Sequence, residues 1–286
     1  MTAFHNRSLL SLALALVLTG HVATAQEQKP EQGTPPGSPE KTSTQKRAVA
    51  HDSIVVGAHL TPEEVEDGKI NDAYQPLYHL KKPNDCPQIE KLCQSEIIPM
   101  AERSKFELTR NKFLYLANRD VAICESQTGR PKEAEERYQK MFDYIRVWPG
   151  TDDSDYPLNY RLIGEVRIMQ MRWKDAEESL EKSITIFGEQ IDRALHSDSE
   201  FSRNGHSKNL KMSDAWARNL LALAYFRDGR EAEAMQTLET AYQEAIESSA
   251  SAEMIQEIIE AGRVVSDSLG DAAAMEKWKA RTPPPK

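Results

Sequence analysis

Two histidines, His196 and His206, share one polar stretch with Asp192, Asp198 and Glu200. Imidazole and carboxylate are ligands for zinc and other divalent metals, so the chemistry to consider first is that of a metal-dependent enzyme. The spacing matches no known ligand pattern, and the ordinary reading is a solvated polar loop. His51, His59 and His79 lie in a poorly patterned region, and His5 and His21 near the start of the chain. There is no glycine-rich phosphate loop, no H-E-x-x-H and no G-x-S-x-G. The carboxylates of "EAEER" and "DAEESLEK" fall on helix exteriors, where they form solvated faces with partners four residues away. No catalytic residue, no metal and no cofactor are expected.

Three cysteines, Cys86, Cys93 and Cys124, offer a second kind of chemistry. No C-x-x-C is present, so neither a redox pair nor a zinc site is indicated. An exported chain can hold a disulfide, and an odd count leaves one thiol over. If 87–98 is a helix, Cys86 and Cys93 lie roughly 10 Å apart, beyond disulfide reach. Either that segment is not helical or a bond goes to Cys124. Cys124 itself sits in an apolar-periodic stretch and also reads as a small buried thiol.

Export is read from the first residues. Arg7, an apolar run from Leu9 to Leu18 and Ala23-Thr24-Ala25 before Gln26 have the order of a secretory signal peptide, residues 1–25, cleaved after Ala25. The run is shorter than the roughly 20 apolar residues that span hydrocarbon. No cysteine follows the cleavage site to carry a lipid, and no later stretch approaches a membrane span. The mature chain is expected to be periplasmic or secreted. The whole chain carries a formal charge of −9, and losing Arg7 makes it more negative. Nucleic acid needs clustered positive charge and is not an expected partner.

Residues 26–50 are rich in Pro, Gly, Ser, Thr, Gln and charge, and read as a disordered linker. Residues 51–100 read as an irregular, partly helical cap region. There Thr61, Pro62 and Glu64 form a capping box that opens one short helix, and "YQPLYHLKKPNDCP" reads as a loop. Beyond Cys86 apolar residues recur at three and four rather than two. Helices are expected near 87–98, 103–128, 131–147, 158–171, 173–194, 213–228, 231–247, 252–268 and 271–280, with a loose tail at 281–286. The fold class is all-α, in antiparallel helical hairpins filling 101–280.

Those hairpins repeat. Gly129, Met171 and Gly229 mark turns. Eight residues before them stand Val121, Ile163 and Leu221, and seven before stand Ala122, Gly164 and Ala222. Five after stand Ala134, Ala176 and Ala234, and nine after stand Tyr138, Leu180 and Leu238. A small residue midway along each first helix lets its partner approach closely, and the large apolar residues fill the space around that contact. A further unit around Gly270 departs from the pattern: Arg263 stands in the small slot and Met275 in the alanine slot. A terminal unit is often atypical, because its outer face meets water.

The layout resembles the tetratricopeptide repeat, carried by Val121-Ala122, Gly129, Ala134 and Tyr138; by Ile163-Gly164, Ala176 and Leu180; and by Leu221-Ala222, Tyr225, Gly229, Ala234, Leu238 and Ala241. The steps from Ala134 to Ala176 and from Ala176 to Ala234 exceed the family period of about 34 residues. The excess falls on the connections "VWPGTDDSDYP" and "HSDSEFSRNGHSKNLKMSD". The resemblance implies an α-solenoid, a superhelix whose first helices line a groove for an extended peptide or a helix. The same fixed steps place Arg119, Arg161 and Asn219 in that groove, with Leu116, Leu158 and Trp216 one turn away and Gln127, Met169, Phe226 and Arg227 near the helix ends. The binding set is Arg119, Arg161, Trp216, Asn219, Phe226 and Arg227. Guanidiniums over an apolar floor suit an acidic segment or a free C-terminal carboxylate. In so charged a chain the same arginines can equally pair with its own carboxylates.

The function this implies is an exported, non-enzymatic module that binds a protein or peptide in the cell envelope. The alternatives are a structural subunit of an envelope assembly and a metal-dependent envelope enzyme.

Overall fold

The computed structural model describes residues 60–80, 82–148 and 155–283. Residues 1–50, on which the expected signal peptide and linker fall, His51, His59, the middle of "VWPGTDDSDYP" and the last three residues lie outside that range. Within it the fold is all-α. The helices are α1 (Pro62–Tyr74), α2 (Cys86–Leu92), α3 (Ile98–Glu102), α4 (Glu107–Gln127), α5 (Pro131–Val147), α6 (Asp155–Met169), α7 (Trp173–Leu195), α8 (Ser207–Arg227), α9 (Glu231–Glu247), α10 (Ala252–Leu269) and α11 (Ala272–Ala280). From α4 onward each packs against the next in sequence, giving the hairpins α4/α5, α6/α7, α8/α9 and α10/α11.

Each hairpin closes the same way. Gly129, Met171, Gly229 and Gly270 all have positive φ, at 80°, 60°, 76° and 64°. The next residue's N–H reaches back to the carbonyl five residues earlier: Arg130 to Glu125 at 2.8 Å, Arg172 to Arg167 at 2.9 Å, Arg230 to Tyr225 at 2.9 Å and Asp271 to Ser266 at 3.1 Å. This left-handed cap satisfies carbonyls that a helix end otherwise leaves open. Ser249 repeats it between α9 and α10, with φ 57°.

Small residues then set how closely the helices approach. Ala122, Ala134, Ala176, Ala222 and Ala234 are buried, as are Tyr138, Leu180 and Leu238. A Cβ on Gly164 would lie 2.6 Å from Leu180 Cγ, so that slot admits only hydrogen. The last hairpin obeys the rule with its register moved by one. Gly262, not Arg263, is the small residue, and a Cβ there would run into the Trp278 ring. Trp278 is wholly buried and stands as far along the chain from Gly262 as Leu180 does from Gly164. Arg281 lies over Trp278 and Tyr242, 3.8 and 4.2 Å from their ring centroids, and pairs with Glu239 at 2.6 Å. The expected loose tail is therefore anchored at its first residue.

The N-terminal region has more structure than one short helix. Thr61 and Glu64 form the expected capping box. Gln75–His79 then makes a 3-10 turn inside the expected loop, and α2, a π-helical turn at Cys93–Ile97 and α3 follow in succession. These segments bury Ile70, Tyr74, Leu77, Ile89 and Ile97 against Phe113, Ala117 and Val121 of α4. A disulfide joins Cys86 to Cys124, 38 residues apart, with Cα atoms 5.2 Å from each other. A loop of that length is worth roughly 3–4 kcal/mol in lost unfolded-state freedom. Cys93 is the buried free thiol, and burial pushes it up to about 12, where it stays unreactive.

The second long connection is also mostly helix. Leu210 packs with Phe187, Ile191 and Ala194, so α8 begins at Ser207 rather than near 213. Only 196–206 links α7 to α8, and it includes the π turn Ser202–His206.

Two substitutions test these constraints. Met171 holds its left-handed conformation while its side chain is 68% exposed, so it gives almost no burial in return for the strain. Met171→Gly should stabilise the protein by about 0.5–1 kcal/mol in denaturant unfolding, the relief of strain outweighing the added unfolded-state entropy. Gly262→Ala should cost about 1–3 kcal/mol, because the Trp278 ring has nowhere to move. Calorimetric midpoints moving in opposite directions would check both.

Candidate binding face

The six residues expected to form a groove all lie on first helices, in two groups. Arg119 on α4 lies over the Tyr115 ring, 5.3 Å from its centroid, and is 3.7 Å from Asp155. Burial opposes its charge, but Tyr115, Tyr74, Asp120 and Asp155 outweigh that and keep it firmly cationic. Arg161 on α6 pairs with Glu165 at 3.2 Å. Both arginines bear on the buried Tyr138 hydroxyl, which places them in one neighbourhood. Their own acids occupy both guanidiniums.

The other four lie on α8. Trp216 and Phe226 are half-buried. Arg227 lies over the Trp173 ring, 5.7 Å from its centroid, and its Nε is buried with no hydrogen-bond partner. It stands about 12 Å along the helix from Asn219, too far for the two to hold one small group. Asn219 is 1% exposed, and neither its amide nitrogen nor its oxygen has a partner.

Carboxylates that the sequence reading passed over share this face. Burial pushes Glu165 up against the pull of Arg161. Glu257 on α10 has a buried oxygen without a partner, and burial, then Glu260 and Glu165, push it up to about 7. Counted back from Gly270, Glu257 and Glu260 fall where Trp216 and Asn219 fall before Gly229, but in the shifted packing of the last hairpin the counterparts of Trp216 and Asn219 are Gln256 and buried Ile259. Stepping the same intervals back from Gly270 would have found both glutamates, but the mismatches at Arg263 and Met275 hid the register.

A second polar cluster lies between α8 and α9. Arg218 Nε donates to Asp214 at 2.9 Å and to Glu244 at 3.2 Å. Burial raises Asp214, and burial followed by the Asp214 charge pushes Glu244 up to about 8. One guanidinium thus serves two buried acids, and a proton stays on the pair near neutrality.

The histidine stretch does not assemble a ligand set. His196 lies 3.3 Å from Asp192, both largely exposed, and among the described residues no three His, Cys, Asp or Glu stand close enough to hold a metal ion. No helix among them is long and apolar enough to cross a membrane.

The Glu244 shift sets a pH dependence. In the folded state Glu244 keeps its proton to about pH 8, whereas in the unfolded chain it loses it near 4.5. Between those values the folded state binds the extra proton, so this contribution to stability is complete below about 4.5 and lost as pH rises through 8. Against Glu244→Gln, the wild type should therefore lose stability from pH 5 to 8, by at most about 1.4 kcal/mol per pH unit. Parallel urea titrations across that range would measure it.

Compared with protein-family models, with curated proteins and with solved structures, the chain matches none.

Proposed function

We propose that this chain is an exported, non-enzymatic interaction module of tetratricopeptide-like build, periplasmic or secreted, whose first-helix face binds a partner protein or peptide of the cell envelope. Asn219 carries the reading. A buried amide with neither donor nor acceptor satisfied costs about 1–3 kcal/mol, a cost removed once a partner seated against α8 shifts the side chains that cover it and supplies the missing bonds. Half-buried Trp216 stands three residues before Asn219 on the same helix and extends that surface. A peptide offers alternating N–H and C=O groups that suit such an amide.

A second reading, a structural subunit of an envelope assembly, is favoured by the exposed apolar side chains Leu195, Phe201 and Met212 around the α7–α8 connection. Surface of that kind is what an obligate interface covers.

The test is capture from native envelope extract on immobilised protein, run beside Asn219→Ala and Arg227→Ala. A partner should be retained saturably by the wild type and lost from Asn219→Ala, whose unfolding midpoint stays the same or rises. Equal retention by both proteins, or no saturable retention, would overturn the reading. Static light scattering that gives a stable oligomer would favour the structural subunit.

A further inference from the structure

Beyond the closed polar set around Arg119, α1 and the first turns of α4 stand apart enough to leave a cleft, with Trp148 in its wall. Its volume is about 340 Å³, at the lower end of the range for small-ligand sites. Two features of its lining have no internal explanation. Thr109 is only 3% exposed, yet its hydroxyl has no hydrogen-bond partner among the described residues. Gly68 stands in the middle of α1, where glycine weakens a helix relative to alanine. A Cβ there would meet nothing within 4 Å, so no packing contact calls for the glycine. What its missing side chain leaves is room in the cleft.

The charge of the lining says what that room suits. Three carboxylates of α1 border it, and only Asp67 is answered by a cation, Lys112, whose Nζ lies 2.9 Å from both of its oxygens. Glu64 accepts the backbone N–H of Thr61 at 2.7 Å, and its bonding to the Thr61 backbone, then to the side chain, holds it below the usual carboxylate range. Glu63 has no ion pair among the described residues. The rest of the wall is apolar: Leu108, 52% exposed, and half-buried Trp148.

We infer that this cleft is a binding site for a guanidinium on an apolar stem, with Glu63 and Glu64 taking its charge, the Thr109 hydroxyl accepting one of its N–H bonds, and Trp148 and Leu108 covering the stem. A guanidinium fits better than an ammonium. It is planar and stacks on an indole, it loses less hydration on burial, and it engages a carboxylate through two bonds at once. The site lies on a different part of the molecule from Asn219 and does not rest on the reading of the first-helix face. Its ligand is an arginine, presented by a polypeptide or free.

The probes are N-acetyl-arginine methylamide, free arginine, and the lysine and glutamate counterparts of the blocked arginine. Each is titrated into the purified chain while the indole N–H signals are followed by NMR, that of Trp148 being identified by its loss in Trp148→Phe. At least one arginine probe should move the Trp148 signal saturably, the lysine probe more weakly and the glutamate probe not at all. Tighter binding of the blocked probe would assign the site to an arginine within a polypeptide, and tighter binding of free arginine to the amino acid. Glu63→Gln should weaken the better arginine probe by about fivefold, the scale of one partly exposed ion pair, at an unchanged thermal midpoint. Gly68→Leu should abolish binding while the midpoint holds or rises, because leucine is the better helix former and its side chain would occupy the cleft. Binding lost from a protein no less stable is a pattern that a merely structural residue would not give. No saturable shift at Trp148, an equal response to the glutamate probe, or arginine binding unchanged in Gly68→Leu would each overturn the site. Capture through Asn219 would stand or fall separately.

Discussion

The fold depends on reversing a helix within a single residue. A residue with positive φ at 129, 171, 229 and 270 ends one helix, and the next begins two residues later. So short a reversal leaves little freedom in how the two helices face each other. It sets Gly164 against Leu180 and brings Ala122 into one core cluster with Tyr138, and buried Ala222 and Leu238 stand at the same interval along the chain. The residue after the turn is an arginine in the first three hairpins, and its direction is fixed by the same geometry. Arg130 reaches back to Glu90, Arg172 to Glu135 and Arg230 to Glu177, each on the preceding pair of helices. One backbone conformation thus sets both the packing within a hairpin and the charge pairs between hairpins.

Those links occupy the second helices and the turns, leaving the first helices with a different task. Glu135 shows how fully the linking side is answered. Burial alone would raise its pKa, yet hydrogen bonds from Arg167 and Gln170 and the charge of Arg172 hold it below the usual carboxylate range. Glu257, also removed from water, has no such donors and goes the other way. The two glutamates differ in what their own chain supplies rather than in kind.

Much of this was legible in the sequence because its signals are local. Helices α5 and α9 match their expected spans because a Gly-Arg pair precedes each and the apolar spacing runs unbroken. Longer-range contacts were the ones missed. In "SKNLKM" a single Leu210 among polar residues gives no period, and only its contact with Phe187 and Ala194 keeps that turn helical. Cys124 could be read either as a packed thiol or as a bridge, since the bridge depends on α2 folding back onto α4. In the last hairpin the contact moved by one residue, from the Arg263 slot to Gly262, and fixed counting from the turn could not follow it. For the first-helix arginines the sequence offered one of the two partners: Glu165 stands four residues beyond Arg161, whereas Arg119 takes Asp155 from the next hairpin, which no local spacing singles out.

The placement of open bonding capacity follows from how the chain is closed at its N-terminal side. Tyr74 donates to Asp120, Lys82 pairs with Asp120 at 2.6 Å, and Tyr115 donates to Asp155 at 2.6 Å, so the polar groups around Arg119 form a closed set. An anion arriving there would have to displace a carboxylate already seated, and the gain would be only the difference between two similar pairs. At α8 and α10 nothing has to be displaced. Asn219 and one oxygen of Glu257 lack partners in the folded chain, so an arriving group would displace no internal partner and would give up only its own hydration. The open bonding capacity therefore lies with Asn219 and Glu257 rather than with Arg119 and Arg161, although guanidiniums are the more conspicuous feature of the sequence.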